Sequence, residues 1–141
     1  MTAPHLDRPL PHPTELSAPF WDAARSHELV RPVCEQCSHN FFTPALICPA
    51  CLSEQWSYRI SSGLGTVYSA TVVHRAPFPA LPAPYQLAIV DMDEGWSLLT
   101  NIVESGDRPA RIGARVQVTW VDIDEHWTFP AFRVTQTRTS R

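Results

Sequence analysis

Lysine is absent from the sequence: all eleven basic residues are arginines, spread from Arg8 to Arg141 against 14 carboxylates, for a formal charge of −3. Without a basic cluster there is no general attraction to polyanions and few counterions to release, so bulk nucleic-acid binding is disfavoured. No apolar run approaches the roughly 18 residues of a membrane-spanning helix. The N-terminus lacks the basic and apolar regions of a secretory signal. The chain therefore reads as cytoplasmic, with no membrane partner. Also missing are a serine-histidine-acid order, a nucleotide loop and any cysteine beyond four. With those gaps no catalytic machine is legible, and the chain is not expected to be an enzyme on its own.

What is present is a paired cysteine motif, Cys34-Glu-Gln-Cys37, ten residues, then Cys48-Pro-Ala-Cys51. Two Cys-x-x-Cys turns supply the four thiolates of a closed tetrahedral site, and zinc is the expected ion. A rubredoxin-like iron site fits the same pattern. Disulfides fit poorly, because a cytosolic chain keeps its thiols reduced. Four protein ligands leave no position for water or substrate, so the metal is expected to be structural.

The 14 prolines, about twice average usage, concentrate at Pro4 to Pro19 and Pro77 to Pro84. Residues 1–16 read as a proline-rich arm without a core. Residues 17–60 read as a short helix and zinc ribbon, 61–135 as a β domain, and 136–141 as a tail. Ser17 is the expected N-cap of a helix of about ten residues, carrying Phe20 and Trp21, that ends before Pro32. A helix so short must be buried against the ribbon, the following domain or another subunit. Gln55–Ile60 alternates like a strand, and Gly63-Leu-Gly65 reads as a bend or bulge. Further strands are expected at Thr66–Val73, Tyr85–Val90, Trp96–Val103, Arg115–Val121 and Ala131–Thr135, with a hairpin turn at Asp93-Glu-Gly95. Five short strands and almost no helix predict a mostly β chain, with an OB-fold barrel as the leading candidate.

Candidate binding residues lie outside the cysteines. His74 and Arg75 open a proline-stiffened loop carrying Phe78 and Leu81, which either docks a protein or ligand or folds back over the barrel mouth. Arg108, Arg111 and Arg115 offer charges for the phosphates of coenzyme A or for acidic residues of a partner. Phe20 and Trp21 are candidate partner-docking residues. Two acidic groups, Asp91 with Asp93 and Glu94, and Asp122 with Asp124, Glu125 and His126, sit at turns and read mainly as turn formers.

The pieces Pro19-Phe-Trp21, the two cysteine knuckles, Gly63-x-Gly65-Thr-Val67 and Val73-His-Arg-Ala-Pro-Phe-Pro79 carry a specific resemblance. It continues through Pro84-Tyr85, Asp93-Glu-Gly95, Ile112-Gly113 and Phe129-Pro-Ala-Phe132-Arg133. Over about Pro19 to Val134 the chain resembles the DUF35 family of OB-fold proteins with a rubredoxin-like zinc ribbon. The sequence departs from the family in having Ser38 where glycine often follows the second cysteine, and no proline after Arg133. The resemblance implies a non-catalytic companion of thiolase-like enzymes, including lipid-transfer-protein aldolases of steroid breakdown, with acyl-CoA as a shared ligand. The hydratase domain fused to some relatives is absent from this sequence, so a stand-alone subunit is expected. The alternatives are a single-stranded nucleic-acid-binding OB-fold, which needs a basic groove and aromatic platforms, and a CoA-dependent enzyme using His74.

Overall fold

The computed structural model describes residues 9–105 and 108–135. The first half of the expected arm and the whole tail lie outside the described residues. The elements are α1 (Ala18–Arg25), β1 (Val30–Cys34), β2 (Trp56–Ile60), β3 (Leu64–Val73), β4 (Tyr85–Met92), β5 (Ser97–Ile102), β6 (Arg115–Asp122) and β7 (Thr128–Val134). No helix among the described residues is long and apolar enough to cross a membrane.

Helix α1 is shorter than expected, and its start differs. Proline occupies the first turn, but the Ser17 hydroxyl makes no cap and instead accepts from the Thr14 N–H at 2.9 Å. The helix stops through a paired bond, Glu28 N–H to Ala23 O (3.0 Å) and His27 N–H to Ala24 O (2.9 Å), with His27 at φ 57°. This is a Schellman stop with histidine in the left-handed position usually held by glycine. His27 is anchored there by stacking on Trp120 (5.5 Å, 7°) and by a 2.9 Å bond to Asp122.

β1 and β2 pair antiparallel, Val30 opposite Ile60 and Cys34 opposite Trp56, and a bridge from Val33 to Asn40 completes the ribbon. The other five strands close a barrel in the order β3-β4-β5-β7-β6. The barrel is the Greek-key closure of an OB-fold. Alternation along β4 turns Gln86, Ala88, Val90 and Met92 inward, and Val67, Val116 and Phe132 meet them from other strands. Phe20, Leu29 and Val30 belong to that same core, so the helix and the base of the ribbon share the barrel's apolar centre.

The glycine pair is more than the expected bend or bulge. Gly63 (φ 75°) does bend the chain, and a Cβ there would meet Val118 Cγ1 at 2.4 Å. Gly65 lies inside β3, where a Cβ would meet Val90 Cγ1 at 2.6 Å and the Asp91 carbonyl oxygen at 2.7 Å. The bulge itself falls between Val67 and Ser69. It bends β3 so that one strand can pair with both β4 and β6.

β7 begins at Thr128, earlier than the expected start at Ala131, and runs through Pro130. Backbone parity explains why this is tolerated. Phe132 O accepts from Val103 N–H at 2.8 Å, on the β5 side, so Pro130 two residues earlier faces β5 as well. Its missing N–H thus falls where only the Thr100 hydroxyl reaches its carbonyl, at 3.4 Å. Pairing of β5 with β7 is limited to Ile102 opposite Phe132. A proline here makes one side of β7 behave as an edge.

Candidate metal centre and apolar pocket

The four cysteines converge. All four sulfurs lie within 4.8 Å of one another, with Cys34 to Cys51 at 3.6 Å and Cys37 to Cys48 at 3.7 Å. A tetrahedron with metal–sulfur bonds of about 2.3 Å has edges of about 3.8 Å, so the set fits a four-thiolate ion without rearrangement. The two knuckles are near copies. Gln36 N–H and Ala50 N–H each donate to the first sulfur of their knuckle at 3.4 Å, and Ser38 N–H and Leu52 N–H close the turns onto Cys34 O (3.0 Å) and Cys48 O (2.9 Å). Ser38 (φ 64°) and Leu52 (φ 67°) both take the left-handed conformation after the second cysteine. The departure from glycine at Ser38 therefore keeps the turn at some conformational cost.

Electrostatics agree with a cation here. Hydrogen bonding from the Cys37 backbone is the largest influence bringing Cys34 down to about 7. For Cys37 the His39 backbone pulls down, but desolvation and the neighbouring sulfurs outweigh it and push the thiol up to about 12. Four thiolates this close resist forming together unless a positive ion compensates them. Cys34, Cys37, Cys48 and Cys51 would hold a structural metal with all four positions filled, and among the described residues no further histidine, cysteine or carboxylate joins the group.

The remaining candidates fall into two separated groups. His74 and Leu81 line a pocket of about 830 Å³, with Phe78 half exposed on the same loop. The loop therefore stands over the barrel side rather than free in solvent. The pocket opens at the β5–β7 seam, where the two strands pair only at Ile102 and Phe132, and its walls come from β3 to β7, the 74–84 loop and residues 103–105. Arg115 lies at the opposite end of β3, paired with Thr66, about 25 Å away along a strand rising 3.3 Å per residue. Its guanidinium forks onto Asp93 through two 2.7 Å bonds. Arg111 is exposed on the loop before β6. Arg115 and the His74 loop thus do not form one surface, whereas the Arg108 backbone lies against the pocket wall, its carbonyl accepting from Gln86 Nε2 at 2.7 Å.

The helix is spent largely within the chain. Phe20 is 5% exposed and packs on Phe42, while Trp21 meets Trp127 and Phe129 edge-on at 5.8 and 5.3 Å. Only Trp21 keeps an open edge, in a notch it shares with Phe42 and Pro44.

The acidic turns prove structural, each for its own reason. Asp124 caps its loop through His126 and Trp127 N–H (2.7 and 2.9 Å). Glu94 does more than form a turn: it accepts from Ser61 Oγ, Ser62 N–H (2.6 Å) and Trp96 Nε1 (3.1 Å), which clasps the ribbon-to-barrel link to the β4–β5 hairpin. Burial pushes Glu94 up, but these donors, led by Ser62 N–H, hold it below the usual carboxylate range. Sequence reading missed this clasp, His27 and the role of Pro130, though a proline inside a β-branched run was a visible signal.

A closed four-cysteine ribbon fused through a shared core to a five-stranded Greek-key barrel defines a zinc-ribbon OB-fold protein. Residues 21–57 match the profile described as "ChsH2, rubredoxin-like zinc ribbon domain", and residues 58–121 match "ChsH2, C-terminal OB-fold domain". The chain belongs to the DUF35 family. It is 35% identical over 130 residues to a probable enoyl-CoA hydratase alpha subunit of Thermomonospora curvata, covering 92% of this chain and 41% of that one. It is 32% identical over 116 residues to the 3-oxo-4,17-pregnadiene-20-carboxyl-CoA hydratase alpha subunit of Mycobacterium tuberculosis, covering 80% and 36%. The chain thus spans well under half of either hydratase subunit. A solved chain described as "Ltp2-ChsH2(DUF35) aldolase" superposes with a TM-score of 0.82 at 34% identity, covering 89% of this chain and 98% of that one.

Proposed function

We propose that this chain is a non-catalytic accessory subunit that binds and supports a thiolase-superfamily enzyme acting on acyl-CoA thioesters. A lipid-transfer-protein-like aldolase of steroid side chains is the favoured partner, in the cytoplasm. The observation that carries the reading is the nearly end-to-end match to the DUF35 chain of an aldolase. The names of the two hydratase subunits support the acyl-CoA chemistry. The metal is read as zinc, because a closed four-thiolate ribbon suits a redox-inert tetrahedral ion.

Physical features support a docking role for the ribbon side. Leu46, two residues after Pro44 of the notch beside Trp21, and Leu52, at the end of the second knuckle, are 75% and 67% exposed. Apolar groups left out in this way mark interfaces more often than solvent faces. Co-expression with a neighbouring thiolase-like protein, size-exclusion chromatography and an acyl-CoA assay of each pool test the reading. A stable complex with higher activity or solubility is expected, and this chain alone should turn over no thioester. Trp21→Ala should weaken the complex by about 2 kcal/mol. A chain that never co-elutes and leaves the enzyme's rate unchanged would make the reading wrong.

A further inference from the structure

We infer that the pocket at the β5–β7 seam receives the bulky apolar acyl group of the thioester and excludes the phosphorylated end of CoA. This deepens the accessory-subunit reading and rests on it for the thioester context. The pocket's volume of about 830 Å³ lies in the range of small-molecule sites. Its walls are mainly hydrocarbon, from Val72, Leu81, Leu87, Val121 and Phe129. Its polar groups are few and placed to orient a ligand. Asn101 spends its Nδ2 on the Gln86 carbonyl (2.9 Å), which leaves its Oδ1 available. His74 and Tyr85 also line the pocket, and neither the imidazole nor the phenol hydroxyl makes a hydrogen bond within the described residues.

Charge decides which end of a thioester fits. No arginine is among the lining residues, whereas Glu104 is. Burying a phosphate beside a carboxylate, without a cation or a helix N-terminus, costs far more than burying hydrocarbon. Arg75 follows His74 in the chain but stands outside the lining, in solvent. The pocket therefore suits a polycyclic or long hydrocarbon skeleton carrying a keto or hydroxyl oxygen, which Tyr85 or His74 can meet.

The test uses the full metal-loaded chain with Nile red as the pocket reporter. Displacement by a free polycyclic keto acid, by palmitic acid and by CoA itself is then compared. The keto acid should displace the dye at concentrations at which CoA does not. Leu81→Asp should weaken the acid at least about tenfold, with metal content and thermal midpoint unchanged. Tyr85→Phe should cost the keto acid about threefold to tenfold, and should leave palmitic acid unaffected. Displacement by CoA as effective as by the acid would overturn the inference. So would no displacement by either acid, or release of the dye only when the partner enzyme is added, which would give the pocket to a peptide. The acid and CoA titrations are read on the chain alone, and the partner enzyme is added only for the last of these outcomes. Acid binding without complex formation would remove the accessory-subunit reading, and complex formation without acid binding would remove this one.

Discussion

Around the sulfurs only Cys34, Phe41 and Cys48 are buried, whereas twelve buried residues from α1, β1, all five barrel strands and the β4–β5 turn make up the other cluster. Three small burials at about 1.5–3 kcal/mol each cannot offset about 1–2 kcal/mol of backbone entropy per residue over Cys34–Cys51. The knuckles must therefore be held by metal, while the barrel is held by packing. The division does not follow chain order, because Phe20, Leu29 and Val30 precede the first cysteine yet belong to the barrel's cluster.

The most direct way to break this contrast is to remove a ligand. Cys48→Ser should abolish metal retention and expose the knuckle amides to hydrogen exchange, while β4 and β7 stay protected. A variant that unfolds throughout would show that the two clusters are one cooperative unit. Phe132→Ala is the mirror experiment: this fully buried ring should cost about 3–5 kcal/mol in denaturant melts. Gly65→Ala forces a methyl group against the Asp91 carbonyl and should cost about 1–3 kcal/mol without affecting metal content.

Acid should weaken the barrel and its seams next. Asp93 is held low first by hydrogen bonds from Arg115, Asp122 first by His27, and Glu94 by its clasp. Each depressed carboxylate contributes stability that is present above its unfolded value of about 4 and is lost as pH falls through the folded one. Urea midpoints should therefore fall below about pH 4, and less steeply in Glu94→Gln, which has already lost the clasp. The smallest effect sharpens the knuckle side: Ser38→Gly relieves a left-handed serine and should stabilise the metal-loaded chain by about 0.5 kcal/mol in thermal melts.

Much of this was legible in the sequence because it rests on local rules. The cysteine spacing gave the metal set, β-branched runs gave the strands, and Asp93-Glu-Gly95 gave a turn in which Gly95 takes φ 93°. What the sequence hid depends on residues far apart in the chain. His27 ends α1 without glycine because Trp120 and Asp122, more than ninety positions away, hold it. Arg115 looked available to a phosphate until the fold set Asp93 opposite it. Pro130 argued against a strand, and only the fold, in which Phe132 O two residues on meets Val103 N–H, shows that its missing donor faces the open seam.

The barrel's closure also bears on the order in which the protein is made. All four sulfurs precede Leu64, whereas closure needs Gln117 opposite Leu64 and Phe132 opposite Ile102. Metal capture is thus a local event available early in synthesis, and barrel closure is a long-range event that waits for the last strand. Ribosome-stalled chains ending before β6 are expected to retain metal already. Over that interval Phe20, Leu29 and Val30 have no barrel to enter, so a nascent chain shows its stickiest surface just when its metal is in place.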